Sequence, residues 1–466
     1  MTTTEPVARR ARVIVVGGGV SGLAAARFVT DAGHDVIVLE GADTVGGKVR
    51  SGSVAGIAVD LGAESVLARR PEATGLICAV GLAGEVIAPT TTSASVRVGG
   101  ALHPLPKRTM LGVPASIEAL RESGALSAAG IAAVEAEASL PPLPPLERDV
   151  AVGPLVRARL GGEVADRLVE PLLGGVYAGR VDDLSLRATM PALYSALSEG
   201  GSLLEAAARV TDVGTHAPSP TPVFASLRGG IGRLPVALAA TLDVRTSTTV
   251  RAIERTGTGY RLITGPVPEP VMYEADAVII AVPAPKAARL LADLAPDAAT
   301  ELADVETASI AIGTFAFRDV DLPPGSGLLV GAREGLHVKA VTVSSHKWPM
   351  QTGGLTVLRA SVGRAGQTAA LQRPDEELIA LVRRDLRALL GLTAEPVDAL
   401  VTRWGGGLPQ YGVGHVEKVE RVRHAVGRLP GLAVAGATYD GVGIPACIAS
   451  ARAAVDRVLA ELATRG

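Results

Sequence analysis

Four residues near the N-terminus have the spacing needed to hold a diphosphate. Gly17, Gly19 and Gly22 fall in the run Gly17-Gly18-Gly19-Val20-Ser21-Gly22, and Glu40 ends the next apolar run. Gly17 permits a tight turn, Gly19 lets the backbone come close to a pyrophosphate, and Gly22 lets a helix pack closely on the preceding strand. Glu40 follows at the distance of an acid that hydrogen-bonds a ribose diol. A glycine pattern of this kind alone is weak evidence. Here it is flanked by Val13-Ile14-Val15-Val16 and by Val36-Ile37-Val38-Leu39, so the order reads strand, glycine turn, helix, strand, acid. The helix N-terminus brings unpaired N–H groups and a partial positive charge to the phosphates. The unit is a dinucleotide cradle, and it says neither which dinucleotide it holds nor what is done with it.

The elements that position these residues must come from a chain of 466 residues, too long for one compact core. Apolar residues make up 48%, ample for two or three domains, and the formal charge of -2 argues against a nucleic-acid partner. Two cysteines, Cys78 and Cys447, exclude a disulfide framework, fit a reducing cytoplasm and lack metal-ligand spacing; no metal is expected. Arg9-Arg10-Ala11-Arg12 before an apolar stretch imitates a secretion signal, but that stretch contains the glycine fingerprint. No apolar run approaches the ~20 residues of a spanning helix, so the expectation is a soluble protein with peripheral membrane contact at most.

Along the chain, the cradle continues into Gly46-Gly47-Lys48-Val49-Arg50 and an alternating segment ending Asp60-Leu61-Gly62-Ala63-Glu64. Helical spacing then appears at Ala115 to Leu120 and at Leu160 to Leu173. Between them Pro141-Pro142-Leu143-Pro144-Pro145 predicts an extended linker. Pro218, Pro220 and Pro222 mark the way out. Strand-like runs return at Val244 to Ile253, Tyr260 to Thr264 and Ala277 to Pro283, and a long helix is predicted over Pro374 to Leu390. The chain closes on a strand, Leu432 to Gly436, a turn, and a helix from Ala446 to Leu462. That last unit reads as the missing piece of the opening sheet.

With these motifs in place, the chain resembles the glutathione-reductase-like FAD enzymes of the amine oxidase and protoporphyrinogen oxidase superfamily. The doublet Gly46-Gly47-Lys48 with Arg50 and the segment Gly436 to Pro445 are its markers. Leu168-Val169-Glu170-Pro171-Leu172-Leu173-Gly174-Gly175-Val176-Tyr177-Ala178-Gly179 looks like its porphyrinogen-oxidase signature. Val98 to Pro106, Ser226 to Gly230 and Leu408 to Tyr411 match further family segments. The likeness is to the bacterial enzymes of heme biosynthesis, of the soluble kind similar to the coproporphyrinogen III oxidases of Gram-positive bacteria.

The resemblance implies an α/β and α+β architecture. It has an FAD-binding Rossmann domain assembled from segments 1–68, 221–295 and 405–466, a substrate domain with a mixed sheet from 69–91 and 296–404, and a helical insertion over 92–220. It implies noncovalent FAD held by Gly17, Gly18, Gly19, Val20, Ser21, Gly22, Glu40, Gly46, Gly47, Lys48, Gly62, Ala63, Glu64, Ser65, Val250, Trp404, Ala437, Val442, Gly443 and Ile444. Backbone N–H groups at the start of the last helix would face the pyrimidine edge of the flavin and stabilise negative charge on its reduced form.

It further implies a porphyrinogen substrate whose aromatisation removes six electrons in three hydride transfers, each with release of a pyrrole proton. No second nucleotide fingerprint is present: Gly230-Ile231-Gly232 and Gly405-Gly406-Gly407 lack its strand and third glycine. Dioxygen is therefore the expected acceptor. A flat macrocycle with carboxylate arms calls for an apolar pocket with cations at its rim. Arg70 is expected at a propionate; the alternative for Arg69-Arg70 is a basic pair opening a helix. Gly175 is expected opposite the flavin; read alone, Gly174-Gly175 terminates a helix. Tyr177 either stacks on the substrate or fills the core. Lys107-Arg108 reads as solvated and His103 as structural. Cys447 lies beside the flavin segment, though its neighbours match the noncovalent pattern. Ala94 stands where eukaryotic-type enzymes carry an arginine, which favours coproporphyrinogen III over protoporphyrinogen IX.

Two other readings use the same fold. An amine oxidase or carotenoid desaturase lacks the Glu170 to Gly179 signature, and an amine-binding aromatic cage is hard to furnish with aromatics at 3%. A non-catalytic carrier like the Rab GDP-dissociation inhibitors keeps the glycine doublet but has no need of Glu40. Product handover to a ferrochelatase, and contact with the inner membrane face, are expectations about partners that residues alone leave open.

Overall fold

The computed structural model describes residues 10–212 and 222–464; Pro218 and Pro220 lie outside the described residues. A five-stranded parallel sheet forms the first layer, in the order Asp243–Arg245, Asp35–Leu39, Arg12–Val16, Ala277–Ile280, Leu432–Val434. Its central strands are continuous apolar runs because both faces are covered, one by helices and the other by a small antiparallel sheet together with helices. Ile14, Val16, Val278 and Ile280 point into one core, and Val13, Val15, Ala277 and Ile279 into the other. Helices Val20–Asp31 and Ile444–Ala463 pack against each other on the second face. Strands from the start, the middle and the end of the chain thus meet in one sheet.

The predicted strand from Val244 to Ile253 is broken. Asp243–Arg245 joins the parallel sheet, whereas Ala252–Arg255 starts an antiparallel sheet with Tyr260–Thr264 and Val271–Ala275. Ser247 between them has φ 51°, a left-handed turn that no continuous strand accommodates.

A seven-stranded sheet forms the second layer, in the order Asp398–Pro409, Thr307–Arg318, Leu355–Val362, Val338–Val343, Gly327–Val330, Ala94–Val98, Ala101–Pro104. Helix Asp375–Leu390 covers one face, burying Leu378, Leu381, Val382, Leu386 and Leu389 against Phe315, Leu358 and Ala360. The opposite face carries a row set by register: Thr402, Ile312, Ser361, Ala340, Leu329 and Val96. These are mostly small or aliphatic side chains. Two strands of this sheet, Ala94–Val98 and Ala101–Pro104, come from the segment expected to be a helical insertion. Ala94–Val98 finds its hydrogen-bond partner in Gly327–Val330, more than two hundred residues away, which no local pattern announces.

The helical region gathers Ile117–Ser123, Ala128–Glu135, Val152–Leu160, Glu170–Tyr177, Pro191–Leu197 and Leu203–Asp212 around one core. Leu160 to Leu173, read as a single helical stretch, is interrupted twice. Gly161 (φ 88°, ψ 164°) ends the helix Val152–Leu160, and a π-helical turn occupies Ala165–Val169 before Glu170–Tyr177. Pro171 has no N–H to return to the Arg167 carbonyl, so the ladder must widen there. Among the described residues, no helix is long and apolar enough to cross a membrane.

Candidate functional site

The glycine turn folds as its spacing demands. Gly17, at φ 109°, donates its N–H to Leu39 O at 2.8 Å. A side chain on Gly22 would run into the Gly17 carbonyl. Glu40 accepts from Gly18 N at 2.5 Å and from Ala42 N at 2.7 Å, so its carboxylate is locked at the strand end. Helix Val20–Asp31 has Gly19 as its N-cap with no side-chain cap, and a Cβ on Gly19 would meet nothing within 4 Å. An uncapped helix N-terminus opening onto free space is a diphosphate seat. Val20 and Ser21 begin that helix and are buried.

The second glycine unit lies directly on the first. Gly46 N–H donates to Gly18 O at 2.8 Å, and a Cβ on Gly47 would stand 3.3 Å from Gly19 Cα. The positive φ of Gly47, 56°, and its lack of a side chain suit that approach. Lys48 is drawn inward, donating Nζ to Gly407 O at 2.6 Å, and burial lowers its pKa. Its carbonyl accepts from Ala63 N at 3.1 Å, and Trp404 donates Nε1 to Leu61 O at 3.0 Å. Gly62, Ala63 and Trp404 are therefore brought together, with the Arg50 guanidinium 5.5 Å from the Trp404 ring centroid. Val250 is buried under the sheet edge with Leu39 and Ile14.

Glu64 has the strongest setting in this region. Lys347 and Arg359 both pair with it, Arg359 Nη1 at 2.7 Å, and Arg359 Nη2 also donates to Gly62 O at 2.5 Å. Burial by itself would raise the Glu64 pKa; the two cations outweigh it and hold the carboxyl low. Asp60 accepts from Ile231 N and Gly232 N, each at 3.0 Å, yet burial pushes it up to about 6. A cavity of about 300 Å³ opens beside these residues, with Trp348 and Met350 among its walls. Ser65 follows Glu64 and is half-buried.

The C-terminal segment reaches the same place. Gly443 is exposed and forms the uncapped N-cap of Ile444–Ala463, with Val442 half-buried against the helical core. Ala437 O accepts from the Tyr411 hydroxyl, and Tyr411 stacks on His415 at 4.1 Å. Burial lowers His415 to about 4. Cys447 is buried, bonds to Gly441 O at 3.7 Å, and has its thiol pKa raised by burial.

Other expected residues are placed less centrally. Arg70 caps the helix Pro71–Ala79 and binds Glu72, with Nη2 to Oε1 at 2.5 Å and a side chain 43% exposed. It does not line the cavity beside Glu64. Tyr177 is 6% exposed, lies 5.4 Å from Tyr411 and has its pKa raised to about 12 by burial, so its ring belongs to the helical core. Arg108 pairs with Asp212 at 2.5 Å, and His103 sits on a strand opposite Val96. Ala94 opens the strand that pairs with Gly327. Gly175 is half-buried on Glu170–Tyr177, facing Leu329.

Lys347, Arg359, Lys339, Arg364 and Leu329 were not singled out from the sequence. The signal was there for two of them: a cation inside an otherwise apolar strand, as in Val338-Lys339-Ala340-Val341 and Val357-Leu358-Arg359-Ala360, marks a buried charged site.

Residues 20–459 match the family of flavin containing amine oxidoreductases. The coproporphyrinogen III oxidase of Mycobacterium leprae is 39% identical over 456 residues, 96% of this chain and 98% of that protein. The protoporphyrinogen oxidase of Bos taurus is 31% identical over 488 residues, 96% of this chain and 98% of that protein. A crystal structure from Exiguobacterium sp. 255-15 superposes with a TM-score of 0.85 at 34% identity, covering 98% of this chain and 99% of that one. The resemblance read from the motifs, the fold class and the FAD cofactor are all borne out.

Proposed function

The chain belongs to the flavin containing amine oxidoreductase family, and from that premise we propose that it oxidises coproporphyrinogen III to coproporphyrin III at the expense of dioxygen. The observation that carries this is the 39% identity to a coproporphyrinogen III oxidase across 96% of the chain. FAD, when bound, would supply the two-electron acceptor for hydride from a methylene bridge, with dioxygen as the terminal oxidant. Three rounds remove three hydrides and three pyrrole protons, and reduce three dioxygen molecules to peroxide.

The protein's residues bind, orient and exclude water. Gly17 to Gly22 and Glu40 hold the diphosphate and ribose; the start of Ile444–Ala463 directs N–H groups at the flavin end. Gly62, Ala63, Glu64, Ser65 and Trp404 form the wall beside the ring, with Lys347 and Arg359 fixing Glu64. The face bearing Ile312, Ser361, Ala340 and Leu329 offers a flat apolar platform for a macrocycle, and Gly175 leaves room above it. Cys447 is buried and its thiol pKa is raised by burial, which makes it a weak nucleophile and favours noncovalent FAD. Two unpaired cysteines accord with a reducing cytoplasm.

Protoporphyrinogen IX oxidation is the second reading, favoured by the likeness to the Bos taurus protein. Turnover of each porphyrinogen under oxygen, with Soret absorbance and peroxide followed together, separates the two. Coproporphyrinogen III is expected to have the higher kcat/KM, with three peroxides per porphyrin; no Soret band from either would sink the proposal. Arg70→Ala in the same assay raises KM if Arg70 leaves Glu72 for a propionate.

A further inference from the structure

Helix Glu170–Tyr177 lies over strands Gly327–Val330 and Val338–Val343, and charges are buried in the seam. Glu170 accepts from Ala332 N at 3.3 Å. Arg364, 6% exposed, donates Nη2 to Val330 O at 2.8 Å. Lys339 is the third member, at 4% exposure. It stands at a register shift, where Val338 faces Val362 and Ala340 faces Ser361, so Lys339 is the extra residue of a bulge. Bulges re-aim side chains, and here Val338 and Val341 stay in the outer core while Lys339 reaches the charges of Glu170 and Arg364.

Among the described residues, the Lys339 ammonium makes no hydrogen bond and no ion pair within 4.0 Å. Two cations face one carboxylate, because the neighbouring Asp166 is already held by Arg157 and Arg333 at 2.8 and 3.1 Å. Glu170 is thus shared by two cations, and a mostly buried lysine with no hydrogen-bonded partner is a costly arrangement in an apolar seam. The seam also adjoins the platform. Ala340, next to Lys339, is in register with Leu329, and Leu329 faces Gly175, five residues along the helix from Glu170.

We propose that Lys339, backed by Arg364, is a carboxylate-binding subsite that takes one propionate arm of the tetrapyrrole. The subsite rests on the function proposed above. An arriving carboxylate supplies the hydrogen-bonded partner that Lys339 lacks, and Glu170 keeps Lys339 and Arg364 apart when the arm is absent.

The test uses the full-length FAD-loaded enzyme and its Lys339→Met and Lys339→Arg variants. Affinity for coproporphyrin III and for its tetramethyl ester is read by porphyrin fluorescence, and steady-state rates are measured with coproporphyrinogen III. Lys339→Met is expected to weaken coproporphyrin III binding about 10-fold or more, to raise KM more than it lowers kcat, and to leave ester binding unaltered. Lys339→Arg should recover most of the loss. Unchanged coproporphyrin III affinity, or equal weakening for acid and ester, overturns the subsite while the activity proposal stands. A wild-type enzyme that neither binds coproporphyrin III nor oxidises coproporphyrinogen III overturns both. If Lys339→Met does not load FAD, Lys339→Gln is read by the same criteria.

Discussion

A Cβ built on Gly175 stands 3.5 Å from Leu329 Cδ2 and meets no other protein atom within 4 Å. The fold itself has room for a side chain at this position, and Gly175 carries no positive φ. Without a side chain, Gly175 leaves open space that a bound molecule can use. In Gly175→Ala, FAD content and Tm should match the wild type. The added methyl would overpack the bound macrocycle at ~1–3 kcal/mol, raising KM about 10-fold or more. A Gly175→Ala enzyme with wild-type KM would show that the substrate does not lie against Gly175.

Glu40 uses both carboxylate oxygens on backbone, Gly18 N at 2.5 Å and Ala42 N at 2.7 Å. Glu40→Gln turns one acceptor into a donor that opposes an N–H. Hydrogen bonds to charged groups are worth ~1.5–3 kcal/mol, so FAD affinity should fall about 10- to 100-fold. Flavin fluorescence during dialysis measures it. Equal affinity in both proteins would mean that Glu40 only shapes the turn.

Burial is the main reason that the Lys339 pKa is pushed down to about 7, with Arg364 adding to it and Glu170 opposing. Unfolded, the lysine titrates near its ordinary ~10.4. Between about 7 and that value the unfolded chain binds the extra proton, so stability rises with pH across the window, by at most ~1.4 kcal/mol per unit. Below about 7 both states are protonated and the full penalty applies. Urea midpoints of wild type and Lys339→Met, compared from neutral to alkaline pH, should diverge in favour of the wild type as pH rises. Parallel curves would place the ammonium in water. Because Glu170 and Arg364 face it, and Asp166 and Arg333 lie close by, the comparison with Lys339→Met isolates the lysine.

Much of the cofactor domain was legible because its determinants are local. Parallel strands covered on both faces must be apolar runs, and Arg12–Val16, Asp35–Leu39 and Ala277–Ile280 are such runs. Gly22 must be glycine because the Gly17 carbonyl occupies the place of its side chain. Helix Asp375–Leu390 follows from its periodicity. The stretch from Leu160 to Leu173 was not legible in the same way: periodicity reports which face is buried, not that Gly161 and Pro171 break the backbone that carries it.

The sequence by itself determined that FAD is the cofactor and which substrate class to expect, since glycine spacing, the acid at Glu40 and the Leu168 to Gly179 signature each lie within a short stretch of chain. Tertiary structure alone decided what surrounds them. Glu64 meets Lys347, at the end of a short helix, and Arg359, in a strand, both almost three hundred residues later, and a bulged register brings Lys339 under the influence of Glu170. Local propensity decides strand and helix, but the partner of a buried charge is chosen by register between distant strands, where desolvation makes each charge seek a counter-ion.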